Sequence, residues 1–282
     1  MELEQTIEYF SILGGVEKYI QIDYFDDVSH MMKTNFIKNF TDFEELVSPS
    51  YLTQTPYCEL LIAIARGDGK IYSALRKAKL SESAGEKLLE ELVSLGILKV
   101  EHSRELPLHS HPKHKLPKDQ RAYRVQDKLR FRQPFMRFWF GFVSSYAKDL
   151  RFGKSEAFLE NFTNHNERLR SLIYEQLCSN LLEKYHESKE SIVSSGSYWN
   201  IYSEFDILAV TQSRKLILGE CKYKDRMVCK NELTKLKQKA VESNMNVDTY
   251  VLFSKSGFSK ELLSMKSKKL LLFELDDLKS LF

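Results

Sequence analysis

No stretch of this 282-residue chain approaches the ~18 consecutive apolar residues that a membrane-spanning helix needs, so no membrane function is expected. The opening residues, Met1-Glu2-Leu3-Glu4, are acidic and lack the basic and apolar regions of a secretory signal. Cysteine is scarce: Cys58, Cys178, Cys221 and Cys229 lack metal-ligand spacing and read as free thiols of a reducing, cytoplasmic compartment. The phosphate-cradling G-x-x-x-x-G-K-[ST] loop is missing as well. Gly153-Lys154-Ser155 has its ending, but Lys148 stands where the first glycine belongs and no apolar strand precedes it. ATP hydrolysis by this chain alone is therefore not expected.

What remains is an ordinary globular composition, 43% hydrophobic and 29% charged, which supplies packed cores and excludes wholesale disorder. The length exceeds one average domain, so two or three units are expected. The net charge of +3 hides an asymmetry. Residues 1–47 carry 10 acidic and 3 basic side chains, whereas residues 99–137 carry 11 basic against 4 acidic and residues 214–269 carry 14 against 6. Two basic blocks suit two surfaces facing a polyanion; solvated lysine-rich helix faces are the competing explanation.

Residues 1–50 read as a helical segment. Residues 51–133 read as a winged helix-turn-helix. Its first helix starts at Tyr57 with Leu60, Leu61, Ile64 and Ala65 on one face and ends at Gly67-Asp68-Gly69; a second runs Ile71–Lys79. Ser81 caps a third, with Leu88, Leu89, Leu92, Val93 and Leu95 as its stripe and Gly96 beyond its end. An Ile97–Val100 strand, a polar excursion from Pro107 to Pro117 and a returning Tyr123–Val125 strand form the wing. The third helix is the one that would enter a major groove, but its exposed side offers Glu82, Glu86, Lys87, Glu90 and Glu91 and is too acidic to read one. Lys113, Lys115, Lys118 and Arg121 of the wing are the better nucleic-acid candidates. His102, His109, His111 and His114 gather there too, yet without a cysteine pair they read as a polar loop rather than a zinc site.

Residues 134–282 read as an α+β domain of αβββαβ order, entered through an aromatic segment, Phe135–Val143, expected to be a buried helix docking two domains. Helix is expected over 156–186, after which the hydrophobic period changes from 3.6 to 2 at Phe205–Val210 and Leu216–Glu220. A helix at Lys230–Ser243, a strand at Tyr250–Phe253, a short helix and a strand at Leu270–Leu275 follow. Ser194-Ser195-Gly196-Ser197 reads as a turn, and Tyr198 and Trp199 as packing on a sheet edge rather than as base-stacking groups.

The two alternating strands flank Gln212-Ser213-Arg214 closely enough to form a hairpin. A turn centred on Ser213 sets Asp206 opposite Glu220, with Asp206, Glu220 and Lys222 on one face. Opposed Cβ atoms lie only ~4.5–5.5 Å apart, so two carboxylates there repel unless a cation separates them. Hard oxygens with room for water suit Mg²⁺ or Mn²⁺. Lys222 could orient an attacking water or stabilise charge on a phosphate in flight. Glu175 on the preceding helix could add a ligand, and Gln238 on the following basic helix could hydrogen-bond the water or the scissile phosphate. Lys224, Arg226, Lys230 and Lys237 are further candidate phosphate contacts. The bland alternative is that Asp206, Glu220 and Lys222 are a structural ion-pair cluster.

The segment Glu204-Phe205-Asp206-Ile207-Leu208-Ala209, followed by Gly219-Glu220-Cys221-Lys222-Tyr223, resembles the core of the PD-(D/E)xK nuclease superfamily. More narrowly, the chain resembles the C-terminal region of the archaeal-type (DEXX-box) ATPases. The likeness extends to Ile12–Ile20, Ala63–Gly67, Tyr123–Asp127 and Arg137–Phe140. It implies a restriction-endonuclease-like domain behind a winged helix, with Asp206, Glu220 and Lys222 as the site and Glu175 as the first-motif acid. The usual proline of that motif is replaced, at no cost in ligands, and the ATPase domain is absent. Two functions are expected to compete: a Mg²⁺- or Mn²⁺-dependent nuclease acting on nucleic acid, DNA foremost, and a non-catalytic module that partners an ATPase or a second copy.

Overall fold

A computed structural model describes every residue except 1, 17–26, 106–114, 116, 117, 119, 120, 122 and 282. Lys113, three of the four histidines and part of the Ile12–Ile20 stretch therefore lie outside the described residues. The chain forms two compact units, Met1–His102 with Gln126–Arg170, and Ser103–Val125 with Ser171–Phe282.

The first unit begins with α1 (Leu3–Leu13), α2 (Val28–Met31) and α3 (Phe40–Glu45). It continues through α4 (Tyr57–Arg66), α5 (Ile71–Lys77), α6 (Glu82–Ser94) and the strand pair β1 (Leu98–Glu101) and β2 (Lys128–Phe131). α7 (Pro134–Phe138), α8 (Ala147–Arg151) and α9 (Glu156–His165) close it. Ser81 caps α6 by accepting the Ala84 amide, and Gly96 follows its end at φ +72°, a conformation that side chains with a Cβ resist. Leu89 and Leu92 of the expected stripe are buried, but Leu95, in the last turn, is 42% exposed. Glu91 also departs from expectation. It faces inward and accepts hydrogen bonds from Tyr51 (2.6 Å) and Tyr57, which hold its carboxyl below the ordinary range and push the Tyr57 phenol to about 12.

The returning wing strand is Lys128–Phe131, not Tyr123–Val125, pairing antiparallel as Leu98↔Phe131 and Val100↔Leu129. Lys128 and Leu129 are buried there and Arg130 meets Glu101 at 2.9 Å, whereas Val125 is 36% exposed. The aromatic segment packs inside the first unit. Phe36 lies 5.3 Å from Phe138 and 5.8 Å from Phe158 between ring centroids, and Phe40 stacks on Trp139 at 5.7 Å.

The second unit is a five-stranded sheet in the order β3 (Ile192–Trp199), β4 (Glu204–Thr211), β5 (Leu216–Lys222), β6 (Thr249–Ser254), β7 (Leu270–Glu274). β3 to β5 pair antiparallel, and β5–β6 and β6–β7 pair parallel. α10 (Glu167–Glu187) precedes the sheet, α11 (Lys230–Glu242) links β5 to β6, and α12 (Lys260–Ser264) links β6 to β7. The order from α10 to β6 is thus α-β-β-β-α-β, the expected order, with its first strand supplied by a stretch that the sequence pattern reads as a turn. Leu233, Leu236 and Ala240 of α11 share a buried core with Leu208, Leu218 and Leu252 of the sheet. α10 reaches the sheet through Tyr185 against Phe273 (5.2 Å) and Tyr174 against Tyr223 (5.2 Å).

Ser194–Ser197 lies within β3 and is no turn. Register shifts on either side of Ser194–Gly196 let this edge strand carry polar residues, and Ser195 bonds the Ser179 hydroxyl at 2.9 Å. Tyr198 and Trp199 are buried at the end of that edge strand. Residues on either side of the expected wing excursion belong to this unit: Arg104 donates to the Leu208 carbonyl (2.9 Å) and Tyr123, of the expected returning strand, to Glu105 (2.6 Å).

Candidate active site

The site is built on the β4–β5 hairpin. Gln212 and Ser213 make the turn, Arg214 takes φ +66°, and the Thr211 amide donates to the Lys215 carbonyl at 3.0 Å. Glu190, just after α10, pins the tip by accepting from Thr211 Oγ1 (2.8 Å), the Ser213 amide (2.9 Å) and Lys215 Nζ (3.0 Å); the Ser213 side chain first, then Thr211, Lys215 and the Ser213 amide, hold its carboxyl at about 2. The ladder runs Val210↔Leu216, Leu208↔Leu218 and Ile207↔Gly219, the register expected from a turn at Ser213. The next step along both strands is Asp206 and Glu220. Gly219 is required at that ladder's end, because a Cβ there would meet Val251 Cγ1 at 2.8 Å and Ile207 Cβ at 3.0 Å.

Asp206 Oδ2 accepts the Cys221 amide at 2.7 Å, a bond from the strand that carries Glu220. Lys222 Nζ donates to Glu220 Oε1 at 2.6 Å. Burial above all, and then the charge of Glu220, push the Asp206 carboxyl up to about 6, against the opposing pull of the Cys221 amide, Lys222 and Lys239. Burial works against the Lys222 ammonium, but Glu220 and Asp206 outweigh it and its pKa is raised. Asp206 is thus a carboxyl whose charged form burial disfavours, with Lys222 and Lys239 offsetting that only in part.

Lys239 joins this cluster and was not anticipated. Its Nζ lies 3.5 Å from Glu220 Oε2 and 3.2 Å from the Glu204 carbonyl oxygen. Gln238, expected here, instead donates to Glu242 at 2.9 Å along α11 and is exposed. The cause is helical phase. At ~100° per residue, position 238 points nearly opposite the buried stripe of Leu233, Leu236 and Ala240, whereas position 239 lies on its shoulder. The same stripe, read at the sequence level, holds the signal that separates the two.

Glu175 is half-buried on α10; burial above all raises the thiol pKa values of Cys178 and Cys221, and the charge of Glu175 adds to it. Among the described residues no three His, Cys, Asp or Glu side chains are grouped as a metal-binding set. A divalent cation here would therefore take Asp206 and Glu220 from the protein and complete its shell with water. That donor set fits Mg²⁺ or Mn²⁺, which commonly keep several waters beside one or two carboxylates.

The remaining candidates lie on the surface. Lys115, Lys118 and Arg121 are exposed, as are Lys224, Arg226, Lys230 and Lys237. Lys230 pairs with Glu261 at 2.8 Å, and Lys237 sits 5.6 Å from the Tyr250 ring centroid. His102 bonds Asp127 at 2.8 Å.

Residues 139–243 match a family model, DUF234, described as archaea bacterial proteins of unknown function. No curated protein and no solved structure matches the chain. The matched stretch contains Glu175, Asp206, Glu220, Lys222, Gln238 and Lys239, so the whole candidate site lies within the part of the chain that is similar to that family.

Proposed function

We propose that this chain is a metal-dependent, nuclease-like DNA-binding protein that hydrolyses phosphodiesters at Asp206, Glu220 and Lys222. The observation that carries the reading is the Asp206 carboxyl raised to about 6 beside Glu220, with the Lys222 ammonium bonded to the same glutamate at 2.6 Å. Two crowded carboxylates and one ammonium at the end of a hairpin are the chemistry of the PD-(D/E)xK site that the sequence resembles. The α-β-β-β-α-β order suits the restriction-endonuclease-like fold implied with it.

A divalent cation held by Asp206 and Glu220 would supply Lewis-acid activation of a water and neutralise charge on the phosphate. The protein does the rest. The Cys221 amide fixes the Asp206 carboxylate, and Glu220 fixes the Lys222 ammonium as a donor toward a phosphate oxygen. Water oxygen bonds to phosphorus and gives up a proton to solvent, the ester P–O bond breaks, and the leaving alkoxide takes up a proton from solvent. Exposed Lys224, Arg226, Lys230 and Lys237 would track the phosphate backbone.

Purified protein should nick plasmid DNA with Mg²⁺ or Mn²⁺, and Lys222→Ala should remove at least about 100-fold of that activity while leaving thermal unfolding nearly unchanged. Equal nicking by the variant and the wild type contradicts the catalytic reading. A second reading, a non-catalytic module that docks on an ATPase or on its own copy, draws support from the acidic exposed face of α6 (Glu82, Glu86, Glu90). It predicts no nicking under any of these conditions.

A further inference from the structure

Each oxygen of Glu220 faces one ammonium: Oε1 bonds Lys222 at 2.6 Å and Oε2 meets Lys239 at 3.5 Å. The two lysines are not equivalent. Lys222 stands two residues along the same strand, and 24% of its side chain is exposed. Lys239 reaches in from α11, 36% of its side chain is exposed, and its contact sits at the outer limit of a hydrogen bond. Long, partly exposed ion pairs hold weakly, and a lysine ammonium on a four-carbon stem changes partners easily. Its other holds are modest, the Glu204 carbonyl at 3.2 Å and the Phe205 ring at 5.9 Å.

A divalent cation bound through Glu220 and this ammonium would compete for the same carboxylate, since two cations on one oxygen repel. We propose that Lys239 is a second, displaceable counter-ion of Glu220 beside Lys222, that a divalent cation displaces it, and that the displaced ammonium then binds a phosphate oxygen of the nucleic acid. The inference rests on the cation-binding reading of Asp206 and Glu220 and adds a regulatory step to it. Because phosphate draws Lys239 away from Glu220, cation binding and nucleic-acid binding strengthen each other, and by linkage the effect is the same in both directions. Before both ligands arrive, the charge on Glu220 is neutralised from within the protein.

The test is calorimetric titration of Mn²⁺ into the full chain as wild type, Lys239→Met and Lys235→Met, with thermal unfolding run on each and Lys239→Gln in reserve if the methionine variant does not fold. Lys235→Met removes the same charge from the same helix at a side chain that pairs with Glu232 (3.5 Å) rather than Glu220. Lys239→Met should bind Mn²⁺ about five-fold more tightly than the wild type, and Lys235→Met should stay within about two-fold of it. A non-cleavable phosphorothioate duplex should tighten Mn²⁺ binding by the wild type more than it tightens binding by Lys239→Met. If the wild type binds Mn²⁺ and Lys239→Met binds it no more tightly, or Lys235→Met shifts as far, the Lys239 inference falls and the cation site stands. If neither the wild type nor the Lys239 variants bind Mn²⁺ at millimolar concentration, both fall together.

Discussion

At the scale of single residues, Asp206 is the group on which the account turns. Its folded-state pKa of about 6 lies above the ordinary carboxyl value near 4, so the folded protein holds a proton that the unfolded chain has released between those values. Stability contributed by this group is therefore greatest below about pH 4 and declines as pH rises toward 6. Asp206→Asn keeps an acceptor for the Cys221 amide and removes the charge. Without divalent cation it should be more stable than the wild type at pH 7.5 by on the order of 2 kcal/mol, and the two should converge toward pH 4. Urea unfolding across that range measures it, and parallel pH profiles would contradict it. Much of this residue-level picture is legible in the sequence, because a short turn and strict period-2 alternation fix which residues oppose one another. Lys239 was not, because the neighbouring glutamine offers more familiar chemistry while helical phase aims it at solvent.

Among the elements, the β4–β5 hairpin positions the chemistry, and its tightest point is Gly219. A Cβ at 219 would press on Val251 and Ile207 from both neighbouring strands and shift the adjoining Glu220. Gly219→Ala should cost about 1–3 kcal/mol in urea unfolding and weaken cation binding as well. A neutral substitution would show that β5 has slack beside the site. The elements that the sequence misplaced share a physical cause. β3 is an edge strand whose middle, Ser194–Ser197, is serine and glycine, and it has two register shifts, so that stretch carries the composition of a turn and no apolar alternation. The wing's second strand follows a long polar excursion, where loop length sets no register. Leu129, buried at 1% exposure, decides it through long-range packing that a local pattern does not show.

Across the whole molecule, an almost neutral total conceals concentrated charge, and the net of +3 is a poor guide to partners. Exposed Lys224, Arg226, Lys230, Lys237, Lys266, Lys268 and Lys269 all belong to the second unit. If about four of them meet phosphates, affinity for a duplex should fall roughly 100-fold between about 50 and about 200 mM salt, through counterion release. A flat salt response, read by fluorescence anisotropy, would favour the docking-module reading. Among the described residues no helix is long and apolar enough to cross a membrane. The fold class followed from the change of hydrophobic period at residue 205 and the strand–helix alternation after it. The assembly of the N-terminal helices with the aromatic segment into one core, by contrast, depends on contacts such as Phe36 with Phe138 that link residues more than a hundred positions apart. The central claim is that Asp206 and Glu220 together take a divalent cation, and calorimetric Mn²⁺ titration of the wild type against Asp206→Ala tests it most directly. Saturable binding of one ion by the wild type, lost or weakened at least ten-fold in the variant, is the predicted result; equal binding by both proteins would contradict it.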